Sequence, residues 1–271
     1  DETAVQVVVP TPRPAHPPLL LVFHGTGGEP TDAVNDFDLQ ARANALGFVA
    51  IAPRAAYRDK PHPPDVDHPA DWGGSSWNLW TLDAARNEDL AYLRLLIDAA
   101  VASWGADPKR VYTMGFSNGA YMSWFAAASM PDRIAGFAEN SGGWATDSCP
   151  TRTDADGASQ YLLTSVASPG QAVTCPEIFA QPEFPTRCRI GPANKLRPPT
   201  PAGRVPFGLL GHYASDDSVS VVWSCLLAES LGARGKTRIR NKELDGTAGH
   251  SVIPGFVDEA FAFFANRTVS D

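Results

Sequence analysis

Ser117 is the residue around which chemistry can be built. It stands in Gly115-Phe116-Ser117-Asn118-Gly119, between an apolar run at residues 110–114 and a small-residue helical run at residues 120–130. Strand, sharp turn and helix form the setting in which G-x-S-x-G presents a serine hydroxyl on a strained bend. Glycine suits both flanking positions because a Cβ there would crowd the neighbouring strand and helix. The helix that begins after Ser117 aims amide groups and a positive dipole end at the place where an oxyanion would form. At neutral pH a serine is a poor nucleophile, so it needs a base within reach and a third group to orient that base.

Six histidines are candidates for the base. His16, His62 and His68 lie in Pro-rich loops, and His24 belongs to the loop His24-Gly25-Thr26-Gly27-Gly28. His212 is set aside as too close in sequence to the one suitable acid loop to be oriented by it. His250 remains, in a loop that leaves a late strand at the carboxyl edge of the expected sheet, where ligand sites of open α/β sheets gather. The acid belongs after the strand at residues 205–210, where Asp216 and Asp217 both qualify. The order Ser, Asp, His along the chain is that of the α/β-hydrolase fold.

An oxyanion hole needs two backbone amides aimed at the developing charge. Asn118, at the head of the helix, supplies one. The loop after the first buried strand supplies the other, with Thr26 the expected donor. The competing reading of that loop is a phosphate cradle, but it has neither the Lys-Ser/Thr ending of a P-loop nor the spacing G-x-G-x-x-G.

The elements that must position these residues alternate in type. Residues 5–9 read as a strand at the antiparallel end of the sheet, residues 17–23 as a strand buried on both faces, and residues 48–52 as the next. Asp32 is expected to cap a helix running to Leu46, with Val34, Phe37, Leu39 and Ala43 on one face. A second helix is expected over residues 83–104, with Leu90, Leu93, Ile97 and Val101 aligned. Strands at residues 134–139 and 237–244 and helices at residues 219–231 and 255–265 complete the series. Alternation of this kind predicts a mostly parallel sheet covered by helices on both faces, in one domain spanning residues 1–271. Two stretches have no periodicity: residues 54–81, rich in Pro and Trp, and residues 145–204, of a length that usually marks a lid or binding loop.

The chain has 271 residues, is 44% hydrophobic and 19% charged, and carries a net charge of −8. That balance argues against a nucleic-acid partner, which would need a basic face. No apolar segment approaches the roughly 20 residues of a membrane span. The chain opens Asp1-Glu2-Thr3-Ala4 with neither Met nor signal peptide, so a mature, exported form is expected, secreted or periplasmic. Cys149, Cys175, Cys188 and Cys225 all lie in the second half, an even set that favours two disulfides between residues 149 and 225 and an oxidising compartment. Reduced thiols are the plainer alternative. A zinc site is disfavoured because no C-x-x-C pair is present.

His24-Gly25-Thr26, the elbow, the acid loop with its downstream Val219, and Gly249-His250-Ser251 together resemble the secreted polyhydroxybutyrate depolymerase and feruloyl esterase group of α/β-hydrolases. Asp107-Pro108-Lys109-Arg110-Val111-Tyr112 is similar to that group too. The resemblance implies a serine ester hydrolase without metal or cofactor, and its spacing from the histidine opening the acid loop selects Asp216. His212-Tyr213 departs from the His-Gly usual in that group, and residues 145–204 match nothing in it. A serine peptidase of the same fold and a binding module without catalysis are the rivals. Trp72, Trp77, Trp80 and Trp144 all fall at the carboxyl edge of the sheet. They are expected to form a wall for an aromatic acyl group or a polyester chain, in a monomer acting on a small or polymeric ester.

Overall fold

A computed structural model describes residues 4–55, 75–79, 81, 83–143, 172–180, 205–214, 216, 218–219, 221–240 and 249–270. Its centre is an eight-stranded sheet in the order β1-β3-β2-β4-β5-β7-β8-β6. The strands are β1 (Val5–Val8), β2 (Leu19–Phe23), β3 (Val49–Pro53), β4 (Val111–Phe116), β5 (Gly136–Asn140), β6 (Ala172–Val173), β7 (Phe207–Tyr213) and β8 (Gly235–Arg240). β1 and β6 are antiparallel to their neighbours and close the two ends; the other six run parallel. Buried strands of this kind need apolar residues on both faces, and β2, β3 and β5 are buried throughout.

The two faces follow the period of two. Leu19, Leu21 and Phe23 pack with Leu93 and Ile97 of α3 (Glu88–Trp104), Phe125 of α4 (Asn118–Ser129) and Leu227 of α6 (Val221–Leu231). Leu20 and Val22 pack on the other side with Ala33 of α1 (Pro30–Asp36), Ala43 of α2 (Leu39–Leu46) and Phe256 and Phe264 of α7 (Phe256–Phe264). Each parallel crossover thus lays a helix on one face or the other, and the carboxyl ends of β2, β4, β5, β7 and β8 gather along one edge.

Several boundaries differ from those read in the sequence. The helix expected over residues 32–46 is two helices, broken where Asp38 adopts a left-handed backbone (φ 49°), a conformation that Asp tolerates better than most residues. Asp32 does not cap it. Its carboxylate accepts the Glu29 amide (2.7 Å) from inside the first turn, and the helix starts at Pro30. α3 begins at Glu88, where the Asn87 side chain accepts the amide of Leu90 (3.1 Å), and residues before it form a turn. β7 runs on through His212 to Tyr213, which carries that histidine into the sheet.

Within the long aperiodic stretch the structure describes β6 and a short helix, α5 (Cys175–Phe179). Cys175 is joined to Cys225 of α6 by a disulfide; Cys149 and Cys188 lie outside the described residues. Among the described residues no helix is long and apolar enough to cross a membrane. The disulfide closes a loop with a sequence separation of 50 residues. Replacing both Cys175 and Cys225 by Ala should lower stability by about 2–4 kcal/mol in denaturant titration, mainly through a less constrained unfolded chain.

Candidate active site

The turn from β4 to α4 is as tight as its glycines suggest. Ser117 has φ 55° and ψ −122°, a backbone state that persists only where the surroundings impose it. A Cβ on Gly115 would lie 2.2 Å from the Gly119 carbonyl oxygen, and one on Gly119 would lie 2.2 Å from that of Phe23. The head of α4 therefore sits directly against the end of β2. The Ser117 amide donates to the Asn140 carbonyl at the end of β5 (3.0 Å), so the bend is tied to the next strand as well.

His250 and Asp216 meet this serine from the far side. The His250 Nε2 lies 2.9 Å from Ser117 Oγ, and its Nδ1 lies 2.8 Å from Asp216 Oδ2. A carboxylate can only accept, so Nδ1 carries the proton and Nε2 is left to accept from the serine hydroxyl. Asp216 Oδ1 also accepts the amides of Ser218 (3.0 Å) and Val219 (2.8 Å). Burial alone would raise the Asp216 carboxyl, but the imidazoles of His212 and His250 outweigh it and hold the group well below the usual carboxylate range. The loop bearing His250 is pinned by Asn140, whose Oδ1 accepts the Ile253 amide (2.7 Å) and whose Nδ2 donates to the Ser251 carbonyl (3.1 Å). The Phe116 ring packs beside the imidazole, with ring centres 4.7 Å apart.

The loop after β2 reaches the same point. A Cβ on Gly25 would meet Ser117 Cβ at 3.4 Å, which places the His24–Gly28 turn over the serine. His24 is buried, and desolvation lowers its pKa, so the ring is neutral at pH 7. Its Nδ1 donates to the Gly25 carbonyl (2.7 Å) and its Nε2 accepts the Ala55 amide (3.2 Å), which fixes the tautomer and the turn. Thr26 lies in this turn with its side chain exposed. Asn118, as the first residue of α4, has no carbonyl one turn earlier to which its amide could donate.

Trp77 is not part of a substrate wall. Its ring is fully buried against Phe23 and His24, its Nε1 donates to the His24 carbonyl (2.9 Å), and its own amide donates to Asn118 Oδ1 (2.8 Å). The indole is a strut between the elbow and the loop after β2: its ring packs on Phe23 while its N–H meets the His24 carbonyl, which an apolar ring would leave unpaired. Trp72, Trp80 and Trp144, like Asp217, lie outside the described residues.

Sequence reasoning misjudged one neighbour of Asp216 and missed three residues that stand behind it or hold the loop of His250. His212, set aside as too close to the acid loop, contacts that acid directly, with Nε2 3.2 Å from Asp216 Oδ2. Behind it stand Ser224 of α6 and Glu139 of β5, all fully buried. The available signal was Glu139 itself, a carboxylate in a strand buried along its whole length. Asn140 gave no such signal, because its bonds to residues 251 and 253 are visible only in three dimensions.

No family model matches the chain. A bifunctional acetylxylan esterase/xylanase of Neocallimastix patriciarum is 27% identical over 138 residues, covering 51% of this chain and 18% of that protein. A putative esterase, NocK, of Nocardia uniformis subsp. tsuyamanensis is 31% identical over 129 residues, covering 46% of this chain and 33% of that protein. The chain thus spans a third or less of the length of either curated relative. Among solved structures, an acetyl xylan esterase from Aspergillus awamori superposes with a TM-score of 0.63 at 14% identity, over 96% of this chain and 93% of that one. An S-formylglutathione hydrolase from Agrobacterium tumefaciens gives 0.58 at 17% identity, over 97% and 89%. Esterase PE8 gives 0.57 at 17% identity, over 98% and 99%. With its strand order and elbow, the chain has the α/β-hydrolase fold.

Trp77→Phe, which keeps most of the ring and deletes the indole N–H, should destabilise the protein by about 1–3 kcal/mol by stranding the His24 carbonyl. A lowered melting temperature, with the same fractional change in kcat/KM on every ester tested, is the expected result.

Proposed function

We propose that the chain is a serine carboxylic-ester hydrolase with Ser117 as nucleophile, His250 as general base and Asp216 as the group that orients the base. One observation carries this reading: a single imidazole lies 2.9 Å from a serine Oγ on a strained elbow and 2.8 Å from a buried aspartate. Ser117 Oγ attacks the ester carbonyl while His250 Nε2 takes its proton, and Asp216 steadies the imidazolium that forms. The amides of Asn118 and Thr26 hold the oxyanion of the tetrahedral intermediate. That intermediate collapses by expelling the alcohol, which leaves with the proton from His250. Water, activated by the same base, then attacks the acyl-enzyme, and the acid departs as Ser117 recovers its proton. None of these steps calls for a metal or cofactor.

Two substrate classes follow from different observations. Trp72, Trp80 and Trp144 keep the proposal of an aromatic wall for hydroxycinnamoyl or polyester acyl groups, now without Trp77. The names of the relatives favour acetyl esters of xylan instead, since one is an acetylxylan esterase/xylanase and another an acetyl xylan esterase. A chain carrying a disulfide and acting on such polymers works outside the cytoplasm, so secretion is part of the proposal.

Ser117→Ala and His250→Ala should each cost about 10⁴–10⁶ in kcat with similar losses, because the three groups act as a unit. Asp216→Asn should cost about 10⁴ by favouring the wrong tautomer of His250. Near-normal ester hydrolysis by His250→Ala would remove the base from this account. A panel of acetyl-sugar, hydroxycinnamoyl, short-chain and polyester substrates, read as kcat/KM, separates the two classes. No turnover on any of them, with binding retained, would favour a binding module.

A further inference from the structure

Three buried polar side chains that the proposed mechanism does not use, His212, Ser224 and Glu139, stand in a line behind Asp216. β5 and β7 are paired with Glu139 opposite Leu210. Because side chains alternate along a strand, Glu139 and His212 emerge on the face covered by α4 and α6. Ser224 descends to that face from α6, and its Oγ lies 2.7 Å from His212 Nδ1 and 2.6 Å from Glu139 Oε1. Glu139 Oε2 accepts the Gly142 amide (2.7 Å).

Donor counting restricts the protons in this line. The Val219 carbonyl (2.9 Å) and the Asp216 carboxylate (3.2 Å) can only accept, so His212 Nε2 carries a proton. Ser224 has one hydroxyl proton to give, and the Gly142 carbonyl, 3.3 Å from its Oγ, is a longer and weaker acceptor for it than Glu139 or His212. If it donates to an ionised Glu139, then His212 Nδ1 must donate to Ser224, and the ring is an imidazolium. If Glu139 is protonated, the order reverses and the ring is neutral. Removing the shared proton leaves either a carboxylate oxygen or an imidazole lone pair facing no donor in a site without solvent access, which is costly.

Asp216 decides between the two arrangements. Its negative charge, against His212 Nε2, favours the imidazolium. Burial pushes the Glu139 carboxyl up to about 7, which by itself favours the neutral ring, but for His212 the hydrogen bond and charge of Asp216, with the charge of Glu139, outweigh burial and raise the imidazole. Among the described residues, the groups facing His212 are Asp216 on the loop after β7, Glu139 on β5, Ser224 on α6 and the Val219 carbonyl. Arg238 and Arg240 of β8 pair with Glu259 of α7 instead. His250 lies across the same Asp216 oxygen.

We propose that His212 is a positioning residue for this site, held as an imidazolium between Asp216 and the Ser224–Glu139 pair, and that its charge sets how readily His250 takes a proton. The inference rests on the reading of Ser117, His250 and Asp216 given above. Two cations on one carboxylate oxygen repel, so a charged His212 disfavours protonation of His250 and keeps the base free at lower pH. Its Nε2–H also holds Asp216 in the plane that His250 requires.

The test is kcat/KM against pH on one ester for the wild type, Glu139→Gln and His212→Gln. In Glu139→Gln the new amide donates to Ser224, whose hydroxyl then turns to His212 Nδ1 and holds the ring neutral. With that charge gone, His250 is protonated more easily, and the acid limb should move up by about one pH unit, with KM little changed. His212→Gln removes the same positive charge, so it should move the limb in the same direction, and it should also lower kcat at the plateau by loosening Asp216. A purely structural role would lower kcat without moving the limb. An acid limb that stays in place or moves down in Glu139→Gln overturns the proposal. The wild-type protein gives a second readout independent of any variant: the ring ¹⁵N resonances of His212 should be those of a doubly protonated imidazole at pH 7, and neutral-ring resonances would refute it. An active His250→Ala enzyme would instead sink the triad reading itself, whereas a normal wild-type limb unmoved by Glu139→Gln sinks only the role of His212.

Discussion

Everything at the candidate site depends on how closely α4 approaches the end of β2. The Gly119 Cα packs against the Phe23 and His24 carbonyls with no room for a methyl group, and Gly115 packs against Gly119 in the same way. That approach forces Ser117 into its strained positive-φ backbone and brings the turn after β2 over the serine Cβ. Asn118 and Trp77 lock the approach by trading hydrogen bonds between the elbow, the loop at residues 75–79 and His24. A bend of this kind stores strain, and it is the buried sheet beneath it that over-determines the geometry.

The second constraint is electrostatic. Asp216 is buried, and a buried carboxylate survives only if its charge is met. Two backbone amides and two imidazoles meet it here, and one of the imidazoles is in turn anchored to Glu139 through Ser224. His250, Asp216, His212, Ser224 and Glu139 therefore form one hydrogen-bonded line running from the serine to the interior of the sheet. Asn140 couples the geometry in parallel, since its carbonyl holds the Ser117 amide while its side chain holds the loop of His250. Ser117 and His250, the proposed nucleophile and base, are thus positioned by the same residue.

Much of this was legible in the sequence because the signals are local. Buried parallel strands read as apolar runs, so residues 17–23 and 48–52 announce β2 and β3. The elbow is a contiguous motif, and its glycines have a steric meaning that the close contacts bear out. What was not legible depends on packing between distant segments. His212 was dismissed on sequence distance, yet the end of β7 turns so sharply that a residue four positions before Asp216 reaches its carboxylate. Trp77 sat in an apparently exposed, glycine-rich loop and turned out to fill the space beside Phe23. The break at Asp38 left no mark, because the apolar residues on either side still fall on one helical face.

The central claim is that Ser117 is a nucleophile activated by His250. The most direct measurement is peptide mapping by mass spectrometry after treatment with a fluorophosphonate, which reacts with serines activated in this way. The account predicts a single stoichiometric adduct on Ser117, formed rapidly in the wild-type protein and lost when His250 is replaced by Ala. An unlabelled Ser117 in folded wild-type protein, or labelling that persists unchanged in His250→Ala, would contradict it.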